Sequence, residues 1–224
     1  MSKAISLLTL AGAWSALMCA LTLAAPAHAQ DAAKGAQKAA MCIGCHGIVG
    51  YQASFPEIYK VPMISGQGGK YIVAALNAYK KGERKHPTMR AIATSLSDAD
   101  MADLAAYYEK HGASSLKPVA DTPAAAPSPE VQALLTKGAC ASCHGANFNK
   151  PIDPAYPKLA GQHADYLSAA LRAYATTGNP KVGRGNAIMV GQVKQFKTEE
   201  LKAMAKYFGS LPGGLQTVPP SKFK

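Results

Sequence analysis

Apolar residues recur along this chain with the period of a helix, and the whole pattern is laid down twice. Ile72, Ala75, Leu76 and Tyr79 fall at i, i+3, i+4 and i+7, one face of an α-helix, and Lys80-Lys81-Gly82 closes that stretch with basic residues and a glycine. Met101, Leu104, Ala105 and Tyr108 form a second stripe, with Ser97 placed to cap it, Asp100 three residues on, and Gly112 to stop it. An earlier helical stretch runs from about Ala32 into Cys42–His46. The same sequence of three returns further on. Ser128 and Pro129 sit at the N-cap and N1 of a helix, and Leu167, Ala170, Leu171 and Tyr174 mark the next. Thr198 then caps a last helix, with Glu199 and Glu200 in its first turn and Leu201, Met204, Ala205 and Phe208 facing inward. No convincing strand interrupts them, so the pattern predicts an all-α fold.

The first 29 residues stand outside this pattern. Lys3 is followed by an uncharged stretch from Ala4 to Ala27, and Ala27-His28-Ala29 has the small-x-small form of a cleavage site. This reads as a secretory signal peptide, cut before Gln30, that sends the chain to the periplasm. The apolar run is also long enough for a membrane anchor, but Gly12, Pro26 and the cleavage pattern favour removal. No other segment is apolar for long enough to span a bilayer.

The duplication extends to single residues. Cys42-Ile43-Gly44-Cys45-His46-Gly47 and Cys140-Ala141-Ser142-Cys143-His144-Gly145 share one pattern 98 residues apart. Pro62–Gln67 aligns with Pro157–Gln162 at an offset of 95, and Met89 and Tyr107 with Met189 and Tyr207 at an offset of 100. The shift implies a short deletion before the Gly-Gln pair and an insertion within Thr177–Asn186. A repeat this long reads as a duplicated domain rather than a solenoid. The expected layout is a signal peptide over 1–29, a first domain over 30–112, a linker over 113–129 and a second domain over 130–224. Pro118, Pro123, Pro127 and Pro129, set among Ala and Ser, predict a stiff, extended linker.

Cys-x-x-Cys-His is the attachment signature of c-type haem. Cys42 and Cys45, and again Cys140 and Cys143, are spaced so that one helical turn presents both sulfurs to one ring edge, with His46 and His144 as proximal iron ligands. Two covalently bound haems c are therefore expected. Other uses of the cysteines fit less well. A single zinc held by four thiolates gives no reason for a His after both pairs, and the pairs are far apart. A thioredoxin-type site needs a βαβ context, and a disulfide across two residues gains little stability. For the sixth iron ligand, Met89 and Met189 are the methionines at matching places in both copies, 43 and 45 residues after their histidines and in loop-like surroundings. A Met thioether opposite His stabilises Fe(II). Met101 and Met204 fall on helix stripes instead. His86, three residues from Met89, is the rival ligand in the first copy.

With these motifs in place the chain resembles the dihaem cytochrome c4 family, two class I cytochrome c domains in tandem joined by a Pro/Ala-rich linker. The resemblance rests on the two Cys-x-x-Cys-His-Gly motifs, the Pro-x-x-x-Gly-Gln segments, the tyrosines at 71, 79, 166 and 174, Met89, Met189 and Leu96–Asp100. It implies that the backbone carbonyls of Pro62 and Pro157 accept the Nδ1 protons of His46 and His144. It also implies an electron carrier rather than an enzyme, since two methionines leave no open iron position.

Charge bears on partners. The chain carries a formal +11, which becomes +10 without residues 1–29; residues 30–112 hold +3 and residues 130–224 hold +7. Export makes nucleic acid an improbable partner. The basic surface suits a redox partner with an acidic docking face, or peripheral association with an anionic membrane. Lys181, Arg184, Lys194 and Lys197, which flank Met189, are the candidate docking residues. On charge alone the second haem has the higher potential. Two roles fit: a carrier in a respiratory chain, passing electrons from a quinol-oxidising complex toward a terminal oxidase, or the electron-accepting subunit of a periplasmic dehydrogenase acting on sulfide, thiosulfate or an alcohol.

Overall fold

The computed structural model describes residues 30–115 and 118–220; the expected signal peptide lies outside the described residues. The first half contains α1 (Ala32–Lys38), α2 (Ala40–His46), α3 (Gly69–Lys81), α4 (Pro87–Thr94) and α5 (Asp98–Lys110). The second half repeats them as α6 (Pro129–Lys137), α7 (Cys140–His144), α8 (Ala164–Ala175), α9 (Ala187–Val193) and α10 (Thr198–Ser210). In each half the last long helix packs against the first and against the one after the haem motif: α5 against α1 and α3, α10 against α6 and α8.

The predicted stripes are the cores. Met101, Leu104, Ala105 and Tyr108 are all buried, as are Leu201, Met204, Ala205 and Phe208. Complete burial of Met101 or Leu104 contributes roughly 1.5–3 kcal/mol each. The α1–α5 crossing is close because Gly35 has no side chain; a Cβ there would lie 2.1 Å from the Asp103 carbonyl oxygen. Asp103, buried below it, accepts the Asp31 N–H at 3.0 Å and ties the start of the first half to α5. Ser97 and Asp100 form a complete capping box on α5, and Gly82 ends α3 in the left-handed conformation with φ of 79°.

Several local features differ from expectation. The first helical stretch is broken at Ala39 into α1 and α2. Thr198 is the first helical residue of α10 and not its cap. Lys197 holds the cap position, and the Glu200 carboxylate accepts its backbone N–H at 2.6 Å. Four two-residue strands occur: β1 (Gln52–Ala53) with β2 (Tyr59–Lys60), and β3 (Arg84–Lys85) with β4 (Gly183–Arg184), too short for alternation to register. The proline-rich connection is no free spacer. Its Ala120 and Ala125 carbonyls accept from Asn147 Nδ2 at 2.7 Å and Tyr207 OH at 3.1 Å, and Asp121 pairs with Lys150. These contacts lay residues 118–128 across the second half as a strap.

The two halves meet through matched elements. β3 and β4 pair antiparallel with Arg84 opposite Arg184, corresponding residues of the repeat, so an approximate two-fold axis passes between them. The Gln67 amide bonds the Lys158 backbone, accepting its N–H at 2.9 Å and donating to its carbonyl at 3.1 Å. Gln162 does the same to Met63, at 3.0 and 2.8 Å. A Glu57–Arg172 ion pair at 3.0 Å adds to this, and near the end of the chain Gln216 bridges back to Ser65 of the first half.

Candidate functional site

Both Cys-x-x-Cys-His turns open onto one connected cavity of about 620 Å³ that runs through both halves. Cys42, Cys45, His46 and Met89 line its first arm, and Cys140, Cys143, His144 and Met189 its second. All eight residues singled out from the sequence are thus gathered on one space, four from each half. The four motif cysteines form no disulfide with one another. Among the described residues no cluster of three or more His, Cys, Asp or Glu side chains is placed to hold a metal ion, so the thiols are not arranged as a zinc site.

Each motif histidine is oriented in the same way. His46 Nδ1 lies 2.8 Å from the Pro62 carbonyl oxygen, and His144 Nδ1 lies 3.0 Å from that of Pro157. A proton on Nδ1 donated to the carbonyl leaves Nε2 unprotonated, the form in which imidazole binds iron. Burial lowers both pKa values, the carbonyl bonds opposing it in part, so both rings are held neutral.

The methionines sit in the first turns of short helices rather than in loops. In α4 the Met89 N–H donates to His86 Nδ1 at 3.2 Å; in α9 the Met189 N–H donates to Asn186 Oδ1 at 3.1 Å. These helices are too short for apolar periodicity to reveal them, but the caps themselves are visible in sequence. The pairing of His86 with Asn186 at equivalent positions gives His86 a capping task that involves no metal.

The structure places Arg184 elsewhere than expected, opposite Arg84 of the first half. Arg184 is not on a docking face. It lies at the junction of the halves, its guanidinium 5.6 and 5.4 Å from the Tyr166 and Tyr174 ring centroids, and donates to Tyr166 OH at 3.0 Å. Arg84 mirrors it over Tyr71 and Tyr79, donating to Tyr71 OH at 3.1 Å. Burial raises the Tyr71 hydroxyl, but the two guanidiniums outweigh it and bring the net shift downward. Both arginines line the cavity, and no carboxylate among the described residues pairs with either. Two cations aimed into an apolar cavity without counter-ions fit a ligand with carboxylates at that end. The offset of 100 that matched the methionines also matches these arginines, which is the signal by which the sequence showed them.

The cytochrome c family model matches residues 32–111 and 129–212, one copy in each half. Cytochrome c4 of Azotobacter vinelandii is 33% identical over 215 residues, covering 87% of this chain and 96% of that protein. A thiosulfate dehydrogenase electron acceptor of Stutzerimonas stutzeri is 31% identical, covering 87% and 92%. Among solved structures, the cytochrome c4 of Acidithiobacillus ferrooxidans superposes with a TM-score of 0.57 at 26% identity, over 77% of this chain and 99% of that one.

Proposed function

The chain belongs to the dihaem cytochrome c4 family, two tandem cytochrome c domains that carry covalent haem c, and on that basis we propose that it is a periplasmic one-electron carrier working toward a terminal oxidase. The observation that carries this reading is the pair of matched arms on one cavity, each with two thiols, a neutral oriented imidazole and a thioether. In this reading Cys42 and Cys45 hold one haem and Cys140 and Cys143 the other. His46 with Met89, and His144 with Met189, would bind the two irons, and Arg84 and Arg184 would pair with the propionate carboxylates at the junction. The haems supply the change of iron oxidation state. The protein fixes the ligand set, excludes water from the apolar arms and brings both sites to one interface, so that an electron has a short internal route. A histidine and a methionine for each iron would leave no open position, so the chain would carry electrons and do no chemistry on a substrate. Residues 1–29 act as the signal peptide, and the mature chain begins at Gln30.

A second role, electron-accepting subunit of a thiosulfate dehydrogenase, draws support from the relative that bears that name. Purification separates the two: a carrier elutes alone, a subunit with a larger partner.

The docking lysines follow from the surface that remains once Arg184 is set aside. Lys181, Lys194 and Lys197 are exposed, and Lys181 Nζ lies 5.1 Å from the ring centroid of Phe55, at the mouth of the first arm. On this reading the three lysines form the positive face that an acidic partner meets. Charge reversal at these three lysines should lower the electron-exchange rate about tenfold or more at low salt and flatten its dependence on ionic strength. Stopped-flow rates that keep the full salt dependence would exclude this face.

A further inference from the structure

The two arms of the cavity differ in one buried polar atom. Tyr108 in α5 corresponds to Phe208 in α10, at the offset of 100 that also relates Met89 to Met189. Both rings line the cavity and are buried, with 4% and 3% of their surface exposed. Phe208 is apolar throughout and packs on Phe148 with centroids 4.7 Å apart. Tyr108 brings a hydroxyl to the same place, and that oxygen is the one buried side-chain polar atom among the described residues without a hydrogen-bond partner. Leaving such a group unsatisfied is costly, so the position calls for a better acceptor than the free thiol beside it.

The Cys42 thiol packs against the core cluster that contains Tyr108, and both line the cavity. Burial pushes that thiol's pKa up, and the Tyr108 hydroxyl beside it offsets part of the rise. A thiol both donates and accepts weakly. When it adds across a vinyl group its proton goes to the vinyl carbon, and the thioether sulfur keeps only lone pairs. Attachment therefore removes the competing donor and leaves a sulfur acceptor facing an unpartnered O–H.

We infer that in the haem-loaded protein the Tyr108 hydroxyl donates a hydrogen bond to the Cys42 sulfur, and that this bond, absent from the second arm, raises the potential of the first haem. The inference rests on the reading that Cys42 carries that haem. A donor at the sulfur withdraws electron density from the ring edge and favours Fe(II). It acts against the charge asymmetry, +3 in the first half and +7 in the second, which alone sets the second haem higher. Tyr108 is thus a tuning residue that narrows the gap between the two sites.

The test is a spectroelectrochemical titration of the dihaem protein and its Tyr108→Phe variant. Loss of one neutral hydrogen bond should shift the first haem's Fe(III)/Fe(II) equilibrium roughly twofold to tenfold toward Fe(III), a tenfold change being about 59 mV. The second haem should not move, and thermal stability should hold or rise if the hydroxyl's only partner is that weak sulfur. The same substitution made in a Cys42→Ala background, with the haem held by Cys45 alone, should shift nothing. An unmoved first midpoint in Tyr108→Phe, with both haems retained, overturns the inference. So does an undiminished shift in the Cys42→Ala background. Absence of a covalent bond at Cys42 in the parent protein would instead refute the attachment reading beneath it, and mass spectrometry of the parent reports that separately.

Discussion

Replacement of Met89 by alanine is expected to lower the potential of the first haem by a sizeable share of the roughly 0.8 V range that axial ligands span. The Met–Fe(III) charge-transfer band of that haem should vanish while the band of the second remains. Met189→Ala should do the converse. The thioether is a soft, neutral ligand that favours Fe(II), and water or hydroxide in its place favours Fe(III). Met89 is half-buried on the first arm of the cavity, and its backbone is pinned by the His86 cap, so little else can take its position cheaply. An unchanged spectrum in Met89→Ala would point to another ligand, with His86 through Nε2 the first to test. A His86→Asn variant, which copies the second half's cap at Asn186, would then change the first haem's spectrum and midpoint in its turn.

Removal of the arginines should act on both haems together. Arg84 and Arg184 face each other across β3 and β4, and each lines the cavity with no carboxylate partner among the described residues. On the proposed reading they would be counter-ions to the haem propionates, so Arg84→Met or Arg184→Met would leave a buried carboxylate unpaired. A loss of about 3–5 kcal/mol in stability is expected for either variant. The nearby positive charge also favours Fe(II), so both midpoints should fall, the haem of the substituted half more. Thermal melts and redox titration of the two variants check this. If stability and both midpoints stay where they are, the guanidiniums serve only the tyrosines they cover.

Much of this arrangement could be read along the chain, and the reasons are physical. The stripes at Met101–Tyr108 and Leu201–Phe208 span two helical turns each, long enough for the 3.6-residue period to separate a buried face from an exposed one. The haem motifs were legible because their chemistry needs adjacent residues: two sulfurs for one ring edge and a histidine beneath it. The Pro62 and Pro157 carbonyls were implied only by family resemblance, since a backbone acceptor leaves no mark on residue type.

What escaped were contacts between the halves. Gln67 and Gln162 were visible as repeated residues, yet nothing in one chain's pattern says that each amide clasps the backbone of the other half. Arg184 was drawn to a docking face because charge near Met189 was counted without knowing where each side chain points; pairing of β3 with β4 turns it inward. The proline-rich segment looked like a spacer because its composition forbids helix, but the polar partners that fasten it, Asn147, Lys150 and Tyr207, lie in the second half. The methionine-bearing helices were hidden by their length, eight and seven residues, with caps as their only signal.

The central claim is that each half carries one covalent haem, and intact-mass spectrometry of the exported protein tests it most directly. The predicted result is the mass of residues 30–224 plus two haems, unchanged by denaturation because all four thioethers are covalent, and falling by one haem when both cysteines of either motif are replaced by alanine. A mass with one haem, with none, or with a zinc ion and free thiols would contradict the account.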